Sequence, residues 1–260
     1  ANAQEYSLAQ IVPGGRPEII LGDEVNQYYY VVPDDPLNTP WPHVMISSEG
    51  GGYATGDIDQ DGFIDLVGSV RQEGVGEVLP GTSDVKKDNS MMSWWKNPGN
   101  GKGSWQSFEV GTGTSPERCI VADLNGDGKL DIATSDERYP GNVRNANLTW
   151  YEQKGDPAKK GWNKHITVTS KSMKSMDAGD IDRDGDIDLV VGEHEMMGRE
   201  PNKYGVRFGE IHGIDLVDMD GDGLKDIVTG KRFWSHGRAA DASGASRLAG
   251  NGVPRRRSIA

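Results

Sequence analysis

Residues 180–189 read D-I-D-R-D-G-D-I-D-L, with a carboxylate at every second position and Gly185 where the backbone must turn. Carboxylates crowded into a compact loop would repel one another strongly unless a cation lay among them. An all-oxygen ligand set predicts a hard divalent ion, and the number of ligands favours Ca²⁺ over Mg²⁺. Hydrophobic residues resume at once in Ile187, Leu189 and Val190, so the loop leads into a buried strand. The stretch therefore predicts a calcium-binding turn between two strands.

This pattern occurs four times, always with glycine at the sixth position and a short apolar run after the ninth. We predict that the side chains at positions 1, 3, 5 and 9 and the backbone carbonyl at position 7 bind the ion. The predicted ligands are Asp57, Asp59, Asp61, Phe63 and Asp65; Asp123, Asn125, Asp127, Lys129 and Asp131; Asp180, Asp182, Asp184, Asp186 and Asp188; and Asp218, Asp220, Asp222, Leu224 and Asp226. Four copies in one register favour metal sites over the alternative, solvated acidic turns that hold no ion.

An EF-hand loop also begins D-x-D-x-D-G, but it requires a bidentate Glu at position 12 and two flanking amphipathic helices. Position 12 is Gly68, Thr134, Val191 or Thr229 here, and the flanking residues lack helical spacing. The four loops are therefore not EF-hands.

The D-x-[DN]-x-D-G-x-x-D-[LI] loops and the strands around them resemble the FG-GAP/VCBS repeat family of integrin-like and bacterial extracellular β-propellers. The resemblance touches most of residues 5–235. It implies an all-β fold, a β-propeller of four-stranded antiparallel blades with about five repeats, four of which carry calcium loops. It implies little about function, because this fold carries adhesins, lectins and some polysaccharide-acting enzymes.

A fifth copy lies near the N-terminus, where residues 9–20 align without gaps on residues 122–133. The turn glycine and the apolar exit strand are kept, but Gln10, Val12 and Gly14 replace the first three ligands. Only Glu18 is still acidic. We expect this repeat to form the same hairpin without binding calcium.

A second repeated phrase follows three of the hairpins and consists of an aromatic strand, a polar turn and a strand opened by tryptophan. The aromatic strands contain residues 28–30, 94–95 and 150–151, and the following strands open at Trp41, Trp105 and Trp162. A calcium hairpin and an aromatic hairpin together make a four-stranded antiparallel blade. The regular placement of the aromatics favours packing between blades over a sugar-stacking platform.

We divide the chain into a calcium-binding β-propeller at residues 1–238 and a flexible low-complexity tail at residues 239–260. The repeats lie near residues 5–48, 49–110, 111–170, 171–203 and 204–238. The fourth repeat lacks an aromatic hairpin, and the small, polar and basic tail shows no strand alternation. No strand that closes the ring is visible, so the chain resembles a shortened or truncated member.

Composition agrees with many short strands and turns, since the chain contains 36 glycines, 13 prolines and only 35% hydrophobic residues. The formal charge is −12, and four Ca²⁺ ions would offset eight of those negative charges. Nucleic acid is therefore not an expected partner. No apolar run approaches the roughly 18 residues that a membrane span requires, so membrane insertion is not expected either.

The predicted calcium sites and the N-terminal sequence both favour export of the protein from the cell. Extracellular modules rely on weak calcium sites that would stay empty in the cytosol. Residues 1–4, A-N-A-Q, resemble the mature end left after signal-peptide cleavage. The single cysteine, Cys119, leaves the redox compartment open and is predicted to be a small core residue. We expect an extracellular or cell-surface location.

A possible ligand-binding face lies at the opposite strand ends from the calcium loops. Residues at these exits mix acids, bases and histidines, which suits polar recognition near a central channel. The candidate ligand-binding residues are Arg71, Glu137, Arg138, His194, Arg232 and His236. The alternative is that these are ordinary solvated loop residues.

Three functions remain open at this point. The first is a binding or adhesion module that takes a glycan, the favoured ligand, or an extracellular protein. The second is a carbohydrate-active enzyme such as a polysaccharide lyase, with His194 or His212 as general base. The third is a structural subunit of an extracellular assembly that self-associates through open blade edges.

Overall fold

The computed structural model describes residues 6–22, 26–48, 54–70, 91–112, 116–136, 145–193, 211–231 and 246–249. Within these ranges the chain is all β apart from a single 3-10 turn at Pro157–Lys159. Its strands form five sheets, and every strand pairs with its neighbours in antiparallel orientation. The prediction of an all-β fold is confirmed.

We number the sheets in chain order, and each sheet takes consecutive strands. Sheet 1 contains β1 (Tyr6–Ala9), β2 (Glu18–Gly22), β3 (Gln27–Tyr30) and β4 (His43–Ser47). Sheet 2 contains β5 (Ala54–Gly56), β6 (Asp65–Val70), β7 (Met91–Lys96) and β8 (Gln106–Thr112). Sheet 3 contains β9 (Pro116–Ala122), β10 (Asp131–Asp136), β11 (Ala146–Gln153) and β12 (Trp162–Ser170). Sheet 4 contains β13 (Met173–Gly179) and β14 (Asp188–Glu193), and sheet 5 contains β15 (Ile211–Val217), β16 (Asp226–Lys231) and β17 (Ser246–Ala249).

Every sheet begins with a hairpin whose turn is one of the five repeated motifs. We call these turns loop 1 to loop 5; they span residues 10–18, 57–65, 123–131, 180–188 and 218–226. Loop 1 is the copy that lacks the acidic ligands, and it forms the predicted hairpin between β1 and β2. The flanking segments of all five loops are strands, which agrees with the rejection of the EF-hand.

The core lies between successive sheets rather than within one of them. Ile20 and Tyr29 of sheet 1 pack with Leu66 and Trp95 of sheet 2. Corresponding clusters join sheet 2 to sheet 3 and sheet 3 to sheet 4. The first strands of neighbouring sheets also contact one another, in the order β1, β5, β9, β13 and β15. The sheets therefore stack in chain order, and apolar clusters join sheets 1 to 4.

The aromatic strands supply the largest side chains of these interfaces. Tyr29, Trp94, Trp95 and Tyr151 are each no more than 2% exposed. Trp94 and Trp95 point to opposite faces of β7, so one packs toward sheet 3 and the other toward sheet 1. The predicted role of the aromatics in packing between sheets is confirmed for these four residues.

A buried amide reinforces two of the interfaces at equivalent positions. Asn97, just after β7, donates from Nδ2 to the carbonyl oxygen of Ile11 at 2.9 Å. Gln153, at the end of β11, donates from Nε2 to the carbonyl oxygen of Ile58 at 3.3 Å. Each amide therefore ties a strand of one sheet to the second position of the preceding sheet's loop.

Sheets 1, 2 and 3 have the four antiparallel strands predicted for a blade. Among the described residues sheet 4 has two strands and sheet 5 has three, and no closed ring of sheets is detected there. The expected tail at 239–260 differs from the structure at Ser246–Ala249, which forms β17 and pairs with β16. No helix in the described part of the chain is long and apolar enough to cross a membrane.

Cys119 lies in β9, as predicted, and packs against the cluster between sheets 2 and 3. Its thiol lies 3.8 Å from the carbonyl oxygen of Val67 on the neighbouring sheet. Burial raises the pKa of the Cys119 thiol to about 12, so it is neutral and behaves as a small core residue.

Candidate metal centres

Carboxylate oxygens converge in three of the four acidic loops. Three residues of each loop place one oxygen apiece within 4.8 Å of the others. These groups are Asp57, Asp59 and Asp61 in loop 2; Asp180, Asp182 and Asp188 in loop 4; and Asp218, Asp220 and Asp226 in loop 5. The positions brought together are those that the sequence pattern predicts as ligands.

Hydrogen bonds to the carboxylates at positions 1 and 5 hold the shape of each turn. In loop 2, Asp57 accepts the backbone N–H groups of Asp61 and Gly62, both at 2.9 Å. Asp61 in turn accepts the N–H of Phe63 at 3.0 Å. The glycine at position 6 has φ between 84° and 95° in all four acidic loops, the left-handed region that favours glycine. The carboxylates therefore face inward because the loop backbone donates to them.

In loops 2 and 3 the acid at position 9 has a further role, because it is buried at the base of the loop. Asp65 is fully buried and accepts the N–H of Ile58 at 3.0 Å and of Asn97 at 2.8 Å. Asp131 accepts equivalent bonds from Leu124 and Gln153. In these two loops position 9 therefore joins the loop to the end of the third strand of its own sheet.

Burial makes the position-9 carboxylate of loop 2 hard to ionise without a cation. Desolvation, together with the charges of Asp59 and Asp61, raises the pKa of Asp65 from 3.8 to about 7, although two backbone N–H groups oppose the shift. Burial likewise raises the pKa of Asp131. A bound cation would favour the charged form of both groups.

Loop 1 shows how the same turn is held where the acids at positions 1, 3 and 5 are absent. The Gln10 amide at position 1 holds the turn, because its Nε2 donates to the carbonyls of Val12 at 2.6 Å, Gly14 at 3.1 Å and Arg16 at 3.5 Å. These carbonyls belong to positions 3, 5 and 7. Glu18 keeps the position-9 bond, accepting the N–H of Ile11 at 2.9 Å. A side-chain NH₂ group thus lies where a cation would lie in the acidic loops.

A positively charged group occupies the corresponding place in loop 2. The Lys96 ammonium, from the end of β7, contacts Asp59 and lies 2.5 Å from Asp61. The other oxygen of Asp59, Oδ1, is buried and has no hydrogen-bond donor among the described residues. The loop therefore already binds a cationic group and still has an unsatisfied oxygen.

Loop 3 differs because Asn125 replaces an acid at position 3. Its Oδ1 accepts the N–H of Asp127 at 3.0 Å, and its Nδ2 donates to Glu152 at 3.0 Å. Glu152 also contacts Lys154 and His165. Hydrogen bonds from these groups, that of Lys154 first, lower the pKa of Glu152 to about 2.

The donor chemistry of the four acidic loops fits a hard divalent cation. The predicted ligand atoms are oxygens, and most of them belong to carboxylates. Nitrogen hydrogen-bond donors, from Gln10 in loop 1 and Lys96 in loop 2, already contact the oxygens at the centre of those loops. The all-oxygen set suits Ca²⁺ better than a transition metal.

Neighbouring loops are connected by side chains at position 4, which the sequence analysis did not single out. Gln60 donates to the carbonyl of Gly128 at 2.6 Å, which joins loop 2 to loop 3. Arg183 donates to the carbonyls of Gly223 and Asp222, which joins loop 4 to loop 5. Both residues have positive φ. The only signal in the sequence is the glycine at this position in loops 3 and 5.

The predicted ligand-binding residues of the strand-exit face lie outside the described residues. They are Arg71, Glu137, Arg138, His194, Arg232 and His236. The possible general base His212 is in β15, but its side chain is not described. Their proposed role stays a prediction.

The comparison with protein-family models gives a match to the FG-GAP-like repeat over residues 82–134. The chain contains an FG-GAP-like repeat. The match spans β7, β8 and β9 and the whole of loop 3, so it includes a predicted calcium loop and an aromatic hairpin. The family resemblance predicted from the D-x-[DN]-x-D-G loops is confirmed. A search of curated proteins finds no match.

The solved structures that are similar to this chain include the following two proteins. One is the V. cholerae biofilm matrix protein Bap1, with 15% identity and a TM-score of 0.38, over 82% of this chain and 31% of that one. The other is an Agrocybe aegerita lectin that recognises non-reducing terminal N-acetylglucosamine, with 14% identity and a TM-score of 0.37, over 94% of this chain and 79% of the lectin. This chain spans about a third of the length of Bap1. At these scores neither likeness determines a function.

Proposed function

We propose that this chain is an exported, calcium-stabilised binding or adhesion module, built as a β-propeller of about five repeats, with a carbohydrate as its favoured ligand. Calcium binds at loops 2 to 5, where it neutralises the crowded carboxylates and fixes the turns. The observation that carries this proposal is the convergence of acidic oxygens within 4.8 Å in loops 2, 4 and 5. Because the ion binds the folded loop, it stabilises the fold by linkage.

The outer face of sheet 1 is the best candidate for contact with a ligand. Its strands alternate between a face that packs on sheet 2 and a face that is exposed or half-buried. On the exposed face the ring of His43 stacks on Tyr30 with centroids 5.2 Å apart and meets the edge of Tyr28 at 5.7 Å. Tyr6 is 72% exposed and Leu8 is 62% exposed on the same sheet.

An exposed patch of aromatic and apolar side chains favours binding over a solvated surface. Aromatic rings with a polar edge suit a glycan, which offers apolar C–H faces and hydroxyl groups together. The same patch also favours a protein partner or a second copy of the chain, which is the structural-subunit alternative. No contact among the described residues favours the polysaccharide lyase.

Glycan-array binding in excess Ca²⁺ tests the proposal, with the Tyr30→Ala/His43→Ala variant and a His165→Ala control. His165 is an exposed histidine that stacks on Trp150 in sheet 3. Glycan binding that is lost in the double variant and kept in the control supports the proposal. A monomer that binds no glycan contradicts the carbohydrate ligand, and a mass well above 28.2 kDa in light scattering supports self-association instead.

A further inference from the structure

One position on the third strand of sheets 2 and 3 faces the metal-binding turn of its own sheet. In sheet 2, Trp95 pairs with Leu66, the residue that follows loop 2. In sheet 3, Tyr151 pairs with Ile132, the residue that follows loop 3. The next residue along each strand is Lys96 in sheet 2 and Glu152 in sheet 3, so these two residues are equivalent.

The residues that follow confirm this equivalence. Asn97 and Gln153 each donate their backbone N–H, at 2.8 Å, to Oδ1 of the position-9 acid. Lys96 and Glu152 are thus held between two fixed contacts, and both reach position 3 of their loop. Lys96 contacts Asp59, and Glu152 contacts Asn125. We call this strand position the gate position.

The two gate residues have opposite charges, and they should have opposite effects on calcium binding by their loops. Lys96 places an ammonium against two carboxylates that a divalent ion would need. An entering ion must displace this group or bind beside it.

Glu152 acts through the orientation of an amide. Because it accepts from the NH₂ group of Asn125, it leaves the amide oxygen of Asn125 directed at the loop, where that oxygen accepts the N–H of Asp127. The inward oxygen is the atom that a calcium ion would use. Glu152 also adds a negative charge next to a loop that has lost one acid. It is a positioning residue for position 3.

We propose that the gate position sets the calcium affinity of each loop, so that Lys96 makes loop 2 a weak site and Glu152 strengthens loop 3. This rests on the proposal that the acidic loops bind calcium. Loop 1 supports the underlying logic, since the Gln10 NH₂ group bonds to the carbonyls at positions 3, 5 and 7. A nitrogen donor can therefore hold this turn in place of an ion, and Lys96 does so in loop 2 with a full charge.

The expected effect is large enough to measure. A unit charge near a divalent ion at about 5 Å in a mostly aqueous medium changes its affinity by roughly tenfold or more. Lys96→Met should raise the affinity of one site by about that factor. Glu152→Gln should lower the affinity of a different site, because it removes a charge and lets the Asn125 amide turn.

The test is calcium titration calorimetry on the full chain after chelator treatment, with the bound calcium counted by mass spectrometry. The variants are Lys96→Met and Glu152→Gln, and Lys160→Met is the matched control. Lys160 is an exposed lysine that pairs with Glu109 rather than with a loop carboxylate. A second series places Lys96→Met in an Asp61→Asn background, which removes a ligand of loop 2.

The proposal predicts one strengthened site in Lys96→Met, an isotherm like that of the wild type in Lys160→Met, and no gain in the Asp61→Asn background. A wild-type protein that binds calcium with an isotherm unchanged by Lys96→Met overturns the gate position but leaves the calcium proposal standing. A wild-type protein that binds no calcium overturns both.

Discussion

Replacing Asp65 with alanine should destabilise the protein even when no calcium is present. Asp65 is fully buried and accepts two backbone N–H groups, from Ile58 and Asn97. Each buried donor left without a partner costs about 1–3 kcal/mol. Some of this is offset, because the variant also removes the desolvation of the Asp65 carboxylate and its repulsion by Asp59 and Asp61, which raise its pKa. Two such donors would cost about 2–6 kcal/mol, and with this offset we expect a loss of about 2–3 kcal/mol, at the lower end of that range.

The assay is urea unfolding in EDTA, followed by a thermal scan. For a protein of this size the loss corresponds to a fall in Tm of roughly 4–12 °C. Asp34→Ala is the matched control, because Asp34 is fully exposed and pairs with Arg16 on the surface. It should change stability by about 0.5 kcal/mol or less.

Loop 1 tests whether the loss of stability comes from the buried hydrogen bonds or from the loss of an ion ligand. Glu18 occupies position 9 there and accepts the N–H groups of Ile11 and Val12, but its loop lacks the acidic ligands. Glu18→Ala should therefore cost a similar amount in calcium and in EDTA. If Asp65→Ala in EDTA lies within about 1 kcal/mol of the wild type, position 9 does not anchor the hairpin and its only role is with the ion.

Three further changes probe other parts of the account. Gln10→Ala removes the donor to three loop carbonyls, so the free energy of unfolding should fall by about 1–2 kcal/mol equally in calcium and EDTA; a loss confined to calcium would contradict this. The folded pKa of Asp65 is about 7 and its ordinary value is 3.8. Between these values the folded state binds more protons than the unfolded state, so the metal-free protein should lose stability as pH rises from 5 to 7. Urea midpoints in EDTA would show this fall, Asp65→Asn should flatten it, and a rise in stability across the window would refute it. Gly185 has φ +95° with no atom within 4 Å of an added Cβ, so Gly185→Ala should cost about 1–2 kcal/mol from the backbone alone, and an unchanged urea midpoint would show that the turn relaxes.

The hairpins and the positions of their loops were predictable because the pattern is local. Asp180 and Asp188 are positions 1 and 9 of a motif that repeats in one register, and Gly185 marks the left-handed turn. The burial of Trp94 and Trp95 followed from their place in a repeated strand. Local spacing is enough for these features because their partners lie in the same hairpin or in the next copy of the repeat.

The contacts that distinguish one loop from another were not predictable. Lys96 lies 35 residues after Asp61 in the chain, and only the pairing of β6 with β7 brings the two together. The role of Gln10 depends on a side chain folding back over its own loop, which no spacing encodes. The positive φ of Gln60 and Arg183 runs against the usual preference for glycine. Ring closure was not predictable either, because it depends on contacts between distant parts of the chain that the repeat pattern does not define.

The most direct test of the account is calcium content by mass spectrometry together with thermal unfolding in excess Ca²⁺ and in EDTA. The account predicts about four calcium ions per chain, one for each acidic loop, and a large fall in Tm when calcium is removed. A protein with no bound calcium and the same Tm in both conditions would show that the acidic loops are turns only, and the calcium-stabilised module would have to be abandoned.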